Sequence, residues 1–441
     1  MSSKHTLKVC IIGAGSSGIA AAKVLKQHGV AFDCYEKGSA IGGNWRYQND
    51  NGMSSAYLSL HINTSKSMMA YSDFPMPEAY PAFPHHSLIL QYFEAYIDHF
   101  DIRKYIIFNT GVQEVKRNND GTYTVITDQG NSETYKAVIV ANGHHWNPRY
   151  PEPAFKGNFK GEILHSHYYK TPDVLNHKNV LVVGVGNSAV DIACEAARLH
   201  TGKVFISTRS GAYILPNYIY GIPFDTLAHP LVSYLPLFFQ RIILNIALFL
   251  ARGRQEAYGM PKPKRPILSE HPTNSQDLLN LVGRGKVNIK PNIAELLGEE
   301  VLFEDGTKEK IDIIVYCTGY KITFPFFKDS SFDGLKLEEN NDLQLYQRVV
   351  HPEFDNLFFL GLVQPLGAIM PLAEVQSEWI AKLLTKEVKL PSKEAMQAAI
   401  QKERKKIKER YKDSPRHTIQ VDFFPYKHLI QREIKRMKVK S

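Results

Sequence analysis

The sequence is poor in cysteine and begins with no apolar run long enough to suggest secretion. Its four cysteines, Cys10, Cys34, Cys194 and Cys317, are far apart in 441 residues and form neither a C-x-x-C pair nor a metal-ligand cluster. Glycine interrupts the first apolar run after four residues, which is too short for the core of a signal peptide. These absences predict a reduced, cytoplasmic protein with no metal site and no secretion signal.

The net charge of +9 is confined to one end of the sequence. Residues 402–441 contain fourteen Lys or Arg and five Asp or Glu, whereas the other 401 residues contain 39 residues of each sign. A neutral body gives no reason to expect a nucleic-acid partner. The basic end leaves two alternatives, a solvated surface and contact with an anionic membrane.

Two distant segments follow the order of strand, glycine-rich turn, helix and strand, which is the βαβ unit of dinucleotide-binding folds. The first turn consists of Gly13, Ala14, Gly15, Ser16, Ser17 and Gly18. The second turn consists of Gly184, Val185, Gly186, Asn187, Ser188 and Ala189. Strand-like apolar runs within 138–143 and 313–320 favour parallel sheets covered by helices on both faces. The sequence therefore predicts a doubly wound α/β fold that binds two nucleotides.

The residues at the end of the second strand of each unit differ in charge, and this difference separates the two nucleotides. Glu36 stands 21 positions after Gly15, where a carboxylate accepts hydrogen bonds from the ribose hydroxyls of FAD. Arg209 ends the corresponding strand of the second unit, where a guanidinium binds the 2′-phosphate of NADPH. We therefore assign FAD to the first unit. We assign NADPH to the second unit, where the second turn and the following Asp191 are its expected contacts. A solvated surface charge is the alternative for Arg209.

The segment between the two units carries the pattern F-x-G-x-x-x-H-x-x-x-Y-K, formed by Phe159, Gly161, His165, Tyr169 and Lys170. This pattern identifies flavin-containing monooxygenases, and the sequence resembles that family over most of its length. Further segments that look like family segments, in family order, are residues 41–45, 61–66, 184–188, 317–320 and 364–367. The membrane-bound animal members continue into a hydrophobic C-terminal anchor, and we expect none here.

The resemblance implies a fold, two cofactors and a reaction. The NADPH-binding domain is inserted into the FAD-binding domain, and both domains are Rossmann-like. NADPH reduces FAD, O₂ adds to the flavin as a C4a-hydroperoxide, and this species oxygenates a soft nitrogen or sulfur atom of a small-molecule amine or sulfide. Since that oxygen donor is itself electrophilic, the reaction needs no catalytic triad or metal, and the sequence contains no recognisable one.

The resemblance also implies roles for individual residues. It places Asn63 beside the flavin and the retained NADP⁺ as the catalytic residue, and it makes Asn63 and Thr64 FAD contacts. It further assigns Gly43, Asn44 and Trp45 to FAD binding. A simple turn residue is the alternative for Asn63, and an ordinary core aromatic is the alternative for Trp45.

The order of the motifs predicts the domain boundaries. The expected parts are residues 1–165 (FAD-binding domain, first part), 166–310 (NADPH-binding domain, with an apolar insertion near 215–270), 311–400 (FAD-binding domain, second part) and 401–441 (basic C-terminal tail).

Residues 231–251 are almost continuously apolar, yet they do not read as a membrane span. Pro236 interrupts the run, and Gln240, Arg241 and Asn245 lie in its middle. A central arginine alone costs about 2.5–3.5 kcal/mol on insertion scales. We therefore predict a surface or buried helix. Peripheral membrane contact through this segment and the basic tail, a cap over the substrate cavity and a contact within a homo-oligomer stay open.

Two other functions stay open. A Baeyer–Villiger monooxygenase acts on ketones, but such enzymes typically carry tryptophan and then proline or aspartate where this sequence has Tyr169 and Lys170. The second alternative, from another functional class, is a nucleotide-binding membrane or scaffold protein without turnover. A flavin disulfide reductase would need a redox-active cysteine pair, which the sequence lacks.

Overall fold

The computed structural model describes residues 8–199, 202–227, 230–335, 341–411 and 418–436. The chain forms two compact units. The first is built from residues 1–56, 60–147 and 321–441, and the second from residues 57–59 and 148–320. The second unit is therefore an insertion within the first. Each unit contains a parallel sheet with a glycine-rich turn, which confirms the predicted α/β fold of two Rossmann-like domains.

The strands contain two to six residues each. In chain order they are β1 (Val9–Ile12), β2 (Phe32–Tyr35), β3 (Ile106–Ile107), β4 (Val112–Arg117), β5 (Tyr123–Thr127), β6 (Ser132–Tyr135), β7 (Ala137–Val140), β8 (Asn147–Pro148), β9 (Lys156–Phe159), β10 (Glu162–His165), β11 (Val180–Val183), β12 (Val204–Ser207), β13 (Ile214–Leu215), β14 (Tyr218–Ile219), β15 (Ile222–Pro223), β16 (Thr273–Asn274), β17 (Asn288–Lys290), β18 (Ile293–Gly298), β19 (Glu300–Phe303), β20 (Lys308–Lys310), β21 (Ile313–Tyr316), β22 (Tyr320–Lys321), β23 (Leu357–Phe359), β24 (Gln364–Leu366) and β25 (Gln420–Asp422).

The helices that matter for the sites follow the glycine-rich turns or cover the sheets. They are α1 (Ser16–Gln27), α2 (Lys66–Met69), α3 (His86–His99), α4 (Asn187–Ala196), α5 (Pro230–Ser233), α6 (Leu237–Arg252), α7 (Leu278–Gly283), α8 (Met370–Leu384), α9 (Lys393–Arg410) and α10 (Phe423–Arg436).

The central sheet of the first unit has five parallel strands in the order β23-β7-β1-β2-β3. β1 and β7 are entirely buried, because their apolar sequences VCII and AVIV can pack against helices on both faces. From β1 the chain proceeds to β2 on one side, and it later adds β7 on the other. The switch in strand order therefore lies between β1 and β7, and nucleotides bind at the carboxyl ends of strands at such a point.

The central sheet of the second unit repeats this arrangement with the parallel order β10-β21-β11-β12-β17. β11 and β21 are again fully buried apolar strands. The chain proceeds from β11 to β12 on one side and adds β21 on the other, so the second switch point lies between β11 and β21. Both predicted nucleotide sites thus occupy equivalent positions in their sheets.

The boundaries of the units differ from those expected at 165/166 and 310/311. β10, which ends at His165, pairs in parallel with β21, which begins at Ile313. Both strands belong to the sheet of the second unit, so the second unit extends from residue 148 to residue 320. The motifs alone could not place these boundaries because they mark turns and strand ends, whereas hydrogen bonding between strands decides which sheet contains them.

The C-terminal region also differs from the expected separate tail. β25 pairs with β24, and Phe423, Tyr426 and Ile430 of α10 are buried in the hydrophobic core of the first unit. α10 has an apolar face, and its Lys and Arg residues lie between the apolar positions in the sequence. The positive charge of this region therefore gives no sign that α10 packs into the core. Residues 412–417 and 437–441 of the predicted tail lie outside the described residues.

The apolar segment forms two helices, α5 and α6, with the break before Leu237 at Pro236. The sequence predicted this interruption, but it predicted one surface or buried helix for the segment. α6 exposes most of its large side chains, including Phe238 at 67% and Phe249 at 58%. Leu248 is buried on the opposite side, and the Arg241 guanidinium donates to the carbonyl of Ile267 (2.9 Å). Across the described part of the chain, no helix combines the length and the apolarity needed to cross a membrane.

Candidate nucleotide-binding sites

The first glycine-rich turn is a close-packed bend at the switch point of the first sheet. Gly13 has φ +101°, and a Cβ atom there would lie 2.8 Å from the carbonyl oxygen of Ala141, at the end of β7. A Cβ atom on Gly18 would lie only 1.8 Å from the carbonyl oxygen of Gly13. Both positions therefore require glycine for the helix to approach the strand.

The N-terminus of α1 is bordered by glycine backbone. Gly15 precedes the helix, and no side chain caps it. Gly43 lies against this bend, where its Cβ atom would be 3.1 Å from the Cα atom of Gly15, and the amide of Gly42 donates to the carbonyl of Ala14 (3.2 Å). Uncapped helix N–H groups and a surface made of glycine backbone suit a pyrophosphate. The turn 13–18 and Gly43 therefore fit the diphosphate of FAD.

Glu36 is buried at the carboxyl end of β2, beside the same turn. Its Oε2 accepts a hydrogen bond from the amide of Ala14 (2.8 Å). Its Oε1 accepts bonds from the amide of Gly38 (2.8 Å) and from Nδ2 of Asn51 (3.1 Å). An ionised carboxylate accepts about four hydrogen bonds, so capacity remains for a ribose hydroxyl. Glu36 thus lies next to the helix N-terminus expected to bind the phosphates.

The other predicted FAD contacts have well-defined protein partners. Oδ1 of Asn44 accepts hydrogen bonds from the amide (2.8 Å) and the hydroxyl (2.7 Å) of Ser55. Trp45 is partly buried and packs against the hydrophobic core of the first unit, which is the environment expected of an ordinary core aromatic. Asn44 therefore holds the 54–56 segment, and flavin contacts of Asn44 and Trp45 stay predictions.

Asn63 and Thr64 are partly buried in the segment that leads into α2. The amide of Ile62 donates to the carbonyl of Pro84 (3.1 Å), and the amide of His86 donates to the carbonyl of Leu60 (2.9 Å). These bonds fix the backbone on the N-terminal side of Asn63. The catalytic role of Asn63 stays a prediction.

Two residues beside the FAD turn escaped sequence reasoning. The Tyr71 hydroxyl donates to the carbonyl of Ser16 (2.6 Å), in the first residue of α1. Gly361 has φ +71°, and its Cβ atom would lie 2.1 Å from the hydroxyl of Ser17. Gly361 precedes the family-like segment 364–367 by three residues, so its neighbourhood was the available signal. Nothing in the local sequence marks Tyr71, which reaches the turn only through folding.

The second glycine-rich turn repeats the geometry of the first. Gly184 has φ +119°, and a Cβ atom there would lie 2.7 Å from the carbonyl oxygen of Cys317, at the end of β21. Gly186 precedes α4 and no side chain caps the helix. Ala189 is fully buried at the position that corresponds to Gly18. The second glycine-rich turn, which we also call the second fingerprint, therefore accommodates alanine where the first has its third glycine, Gly18. It keeps an uncapped helix N-terminus for a pyrophosphate.

A polar segment after the proline-rich stretch supports this second turn. Oδ1 of Asn187 accepts a hydrogen bond from the amide of Asn274 (2.9 Å). The Thr273 hydroxyl donates to the carbonyl of Val185 (2.6 Å). Sequence reasoning missed Thr273 and Asn274, although the run HPTNS is conspicuously polar beside the apolar insertion. Ser188 lies in the first turn of α4, and its contact with NADPH stays a prediction.

Arg209 and Glu36, the two residues predicted to bind at the riboses, differ in exposure as well as in charge. Arg209 is exposed, two residues beyond the end of β12. Glu36, by contrast, is buried and engaged with backbone amides. An exposed guanidinium can bind a 2′-phosphate without first breaking a buried contact. Arg209 therefore has the placement that its predicted role requires.

Asp191 and Glu195 lie four residues apart on α4 and each accept a short hydrogen bond from a tyrosine. The Tyr57 hydroxyl donates to Oδ2 of Asp191, and the Tyr169 hydroxyl donates to Oε2 of Glu195, both at 2.5 Å. Burial raises the pKa of Asp191 to about 6, and the bond from Tyr57 partly opposes that rise. The structure thus engages the Asp191 carboxylate with Tyr57, and contact of Asp191 with NADPH stays a prediction.

The histidine of the motif between the fingerprints is a buried neutral group. Nδ1 of His165 accepts a hydrogen bond from the amide of His167 (3.1 Å). Burial, and next the nearby His167, lower the pKa of His165 to about 4. Its ring packs edge to face against Tyr150 and Tyr320. These contacts suit a packing role in the second unit.

Similarity to known proteins covers almost the whole chain. The family described as "Flavin-binding monooxygenase-like" matches residues 6–438. Flavin-containing monooxygenase 5 of Rattus norvegicus is 39% identical over 437 residues, covering 94% of this chain and 80% of the rat protein. Flavin-containing monooxygenase 2 of Homo sapiens is 36% identical over 438 residues, covering 95% and 81% of the two chains.

Solved structures share the fold at lower identity. S-allyl-L-cysteine S-oxygenase from Allium sativum superposes with a TM-score of 0.72 at 24% identity, covering 99% of this chain and 90% of its own. Closed cyclohexanone monooxygenase superposes with a TM-score of 0.70 at 18% identity, covering 97% of each chain. These similarities establish the two-domain architecture independently of the sequence motifs.

Proposed function

Because the chain belongs to the flavin-binding monooxygenase-like family, as its motifs predicted, we propose that it oxygenates soft nitrogen or sulfur atoms of small molecules. It is an oxidoreductase that uses FAD and NADPH. In the net reaction, NADPH, a proton, O₂ and an amine or sulfide give NADP⁺, water and an N-oxide or S-oxide. Bound FAD supplies the activation of O₂, which reacts poorly with such closed-shell substrates.

The observation that carries this proposal is the pair of similar turns with opposite charges at their ribose ends. The turn at 13–18 has the buried carboxylate of Glu36 beside it, whereas the turn at 184–189 has the exposed guanidinium of Arg209 at the end of the next strand. A carboxylate suits the free ribose of FAD, and a guanidinium suits the 2′-phosphate of NADPH. The chain can therefore hold a reductant and a flavin in separate, chemically matched sites.

The remaining roles of the protein are to position the cofactors and to exclude water. Asn63 supplies an amide that can both donate and accept a hydrogen bond at one place. We assign that amide to contact FAD and NADP⁺ when both are bound. Exclusion of water is required because protons from the solvent divert the oxygen to H₂O₂, so that it is not transferred to the substrate.

Replacement of Asn63 tests this assignment. Asn63→Ala and Asn63→Asp should retain FAD and NADPH-dependent flavin reduction, while oxygenated product falls by at least about a hundredfold. The assay follows NADPH oxidation, product and H₂O₂ in parallel with trimethylamine, a thioether or a cyclic ketone. Ser132→Ala, an exposed change on β6, is the matched control. Full product formation by either Asn63 variant would contradict the assignment.

The same assay separates the alternative functions. Stimulation of NADPH oxidation by the amine and the thioether supports N- or S-oxygenation. Stimulation by the ketone alone would instead identify a Baeyer–Villiger monooxygenase. Failure of NADPH to reduce the flavin would identify a nucleotide-binding protein without turnover and would contradict the proposed enzyme.

We further propose that the surface of α6 rests on an anionic membrane. Seven large apolar residues of α6 are at least 40% exposed, namely Phe238, Phe239, Ile242, Ile243, Ile246, Phe249 and Leu250. Exposed cations follow in the same unit, at Arg254, Lys262, Lys264 and Arg265. An apolar helix face accompanied by basic side chains is the arrangement that inserts into the headgroup region of anionic bilayers. A homo-oligomer that buries α6 is the competing explanation.

A further inference from the structure

A three-residue stretch of the N-terminal sequence belongs to the second unit. Tyr57–Ser59 clusters with residues 148–320, whereas Ala56 and Leu60 on either side belong to the first unit. The amide of Leu58 donates to the carbonyl of Lys170 (2.8 Å). We refer to residues 57–59 as the strap.

The side chains of the first and last residues of the strap form hydrogen bonds with α4. The Tyr57 hydroxyl donates to Oδ2 of Asp191 (2.5 Å), and the Ser59 hydroxyl donates to Oε2 of Glu195 (3.1 Å). Asp191 and Glu195 are four residues apart and so share one face of the helix. The same Oε2 of Glu195 accepts the bond from Tyr169, whose ring centroid lies 5.8 Å from that of Tyr57. All three strap residues therefore make a hydrogen bond within the second unit.

The carboxylate that holds Tyr57 lies close to the expected pyrophosphate site. Asp191 follows Asn187, the first residue of α4, by four residues, which is about 6 Å along a helix axis. Burial and the neighbouring Asp191 raise the pKa of the Tyr57 hydroxyl well above its usual value, so Tyr57 remains a donor. A nucleotide that binds the first turn of α4 stabilises that turn and lowers the probability of local opening.

The strap is also close in sequence to the predicted catalytic residue. Asn63 follows Ser59 by four residues, which span at most about 14 Å even when fully extended. Hydrogen bonds from Ile62 to Pro84 and from His86 to Leu60 hold the intervening backbone. Few rotatable bonds therefore separate the fixed strap from Asn63.

We propose that α4 holds the strap through Asp191 and Glu195, and that NADP(H) bound at the start of α4 thereby fixes the segment that carries Asn63. Tyr57 and Asp191 act as positioning residues in this scheme. The inference rests on the proposed function, since it requires NADP(H) to bind at the second fingerprint. It explains why a tyrosine and a serine of the N-terminal sequence pair with two carboxylates on the nucleotide helix.

Hydrogen exchange of the FAD-loaded enzyme, with and without NADP⁺, tests the proposal without turnover. In the wild type, NADP⁺ should slow amide exchange in residues 58–63 several-fold. Tyr57→Phe should exchange faster there and lose the response to NADP⁺, whereas Asp191→Asn, whose amide oxygen still accepts from Tyr57, should keep part of it. Tyr123→Phe, which loses a bond to the carbonyl of Asp355 in the first unit, is the matched control and should behave as wild type.

A second readout is the yield of H₂O₂ per NADPH consumed, which should rise several-fold in Tyr57→Phe and remain unchanged in Tyr123→Phe. Equal exchange of residues 58–63 in wild type and Tyr57→Phe, with NADP⁺ bound to both, would overturn the strap alone. Failure of the wild type to bind NADP⁺ would overturn the proposed function and the strap together. If Tyr57→Phe does not fold, an unaltered NADP⁺ response in both Asp191→Asn and Ser59→Ala overturns the proposal.

Discussion

At the scale of single residues, the two fingerprints meet the same packing demand with different third residues. A Cβ atom on Gly18 would collide with the carbonyl of Gly13 at 1.8 Å, whereas Ala189 is accommodated and fully buried in the second unit. The sequence pattern allows either residue at this position. The structure therefore requires glycine in the first turn and accepts alanine in the second.

Arg209 gives the sharpest residue-scale prediction. Arg209→Gln should raise KM for NADPH by roughly 10- to 100-fold, because a hydrogen bond between charged groups contributes about 1.5–3 kcal/mol. KM for NADH, which lacks the 2′-phosphate, should change little. Steady-state kinetics with both nucleotides measure the effect, and Arg254→Gln, an exposed cation of the same unit, is the control. An unchanged preference between NADPH and NADH would assign Arg209 to a solvated surface.

The sequence predicted residues whose placement depends on local geometry, and it missed those whose contacts depend on packing. The glycines and Glu36 follow from spacing within one βαβ unit. Tyr71, Thr273 and Asn274 reach the turns from segments far away in the sequence. No periodicity or spacing reports such contacts, because they arise only after the sheets and helices have packed.

At the scale of elements, α10 connects the C-terminal region to the FAD turn through a chain of hydrogen bonds. Nε2 of Gln376 donates to the hydroxyl of Tyr426 (2.6 Å), which donates in turn to the carbonyl of Gln347 (2.7 Å). Oε1 of Gln376 accepts from the amide of Gly361 (2.9 Å), beside Ser17. The part of the sequence that reads as a solvated basic tail is therefore linked by hydrogen bonds to the turn predicted to bind FAD.

Tyr426→Phe should lower the free energy of unfolding by about 1–3 kcal/mol, because it leaves the buried amide of Gln376 without its acceptor. Flavin should also dissociate faster, since Gln376 positions Gly361. Chemical denaturation and the rate of FAD loss on dilution measure the two effects. Arg432→Gln, an exposed change on the same helix, should leave both unchanged. Wild-type stability and flavin retention in Tyr426→Phe would show that this hydrogen-bond chain is dispensable.

Helix α6 gives the second prediction at this scale. The wild type should float with anionic liposomes and much less with zwitterionic ones, because apolar insertion and basic side chains act together. The double variant Phe238→Ser and Phe249→Ser should not float, whereas Ile107→Ser, an exposed apolar change on β3, should float normally. Absence of flotation in the wild type, with a dimer that dissociates in the double variant, would favour a subunit contact instead.

The sequence predicted the break in this segment but not the direction of its apolar face. Pro236 forces the interruption on its own, since proline cannot continue a helix from the preceding turn. A helix that is apolar almost all round can equally be buried in a core. Its exposure follows from the small number of partners beneath it, chiefly the contacts of Leu248 and Arg241.

At the scale of the whole molecule, the two parallel sheets were predictable from the repeated turns and apolar runs, whereas the insertion of one unit into the other followed from the resemblance to flavin-containing monooxygenases. The limits of the units were not predictable. β10 and β21 belong to the second sheet, although both lie just outside the expected range 166–310. The charge distribution misled for a related reason. The net charge reflects the lysines and arginines of α9 and α10. The packing of these helices depends instead on the apolar residues that each helix turns toward the core.

The central claim is that one oxygen atom of O₂ enters the substrate while NADPH supplies the electrons. Turnover of a thioether under ¹⁸O₂, with mass spectrometry of the sulfoxide, tests it most directly. We predict a product that carries one ¹⁸O atom, formed only with NADPH and in proportion to the NADPH consumed. A sulfoxide that contains oxygen from water, or NADPH consumption that yields only H₂O₂ with every amine, thioether and ketone offered, would contradict the account.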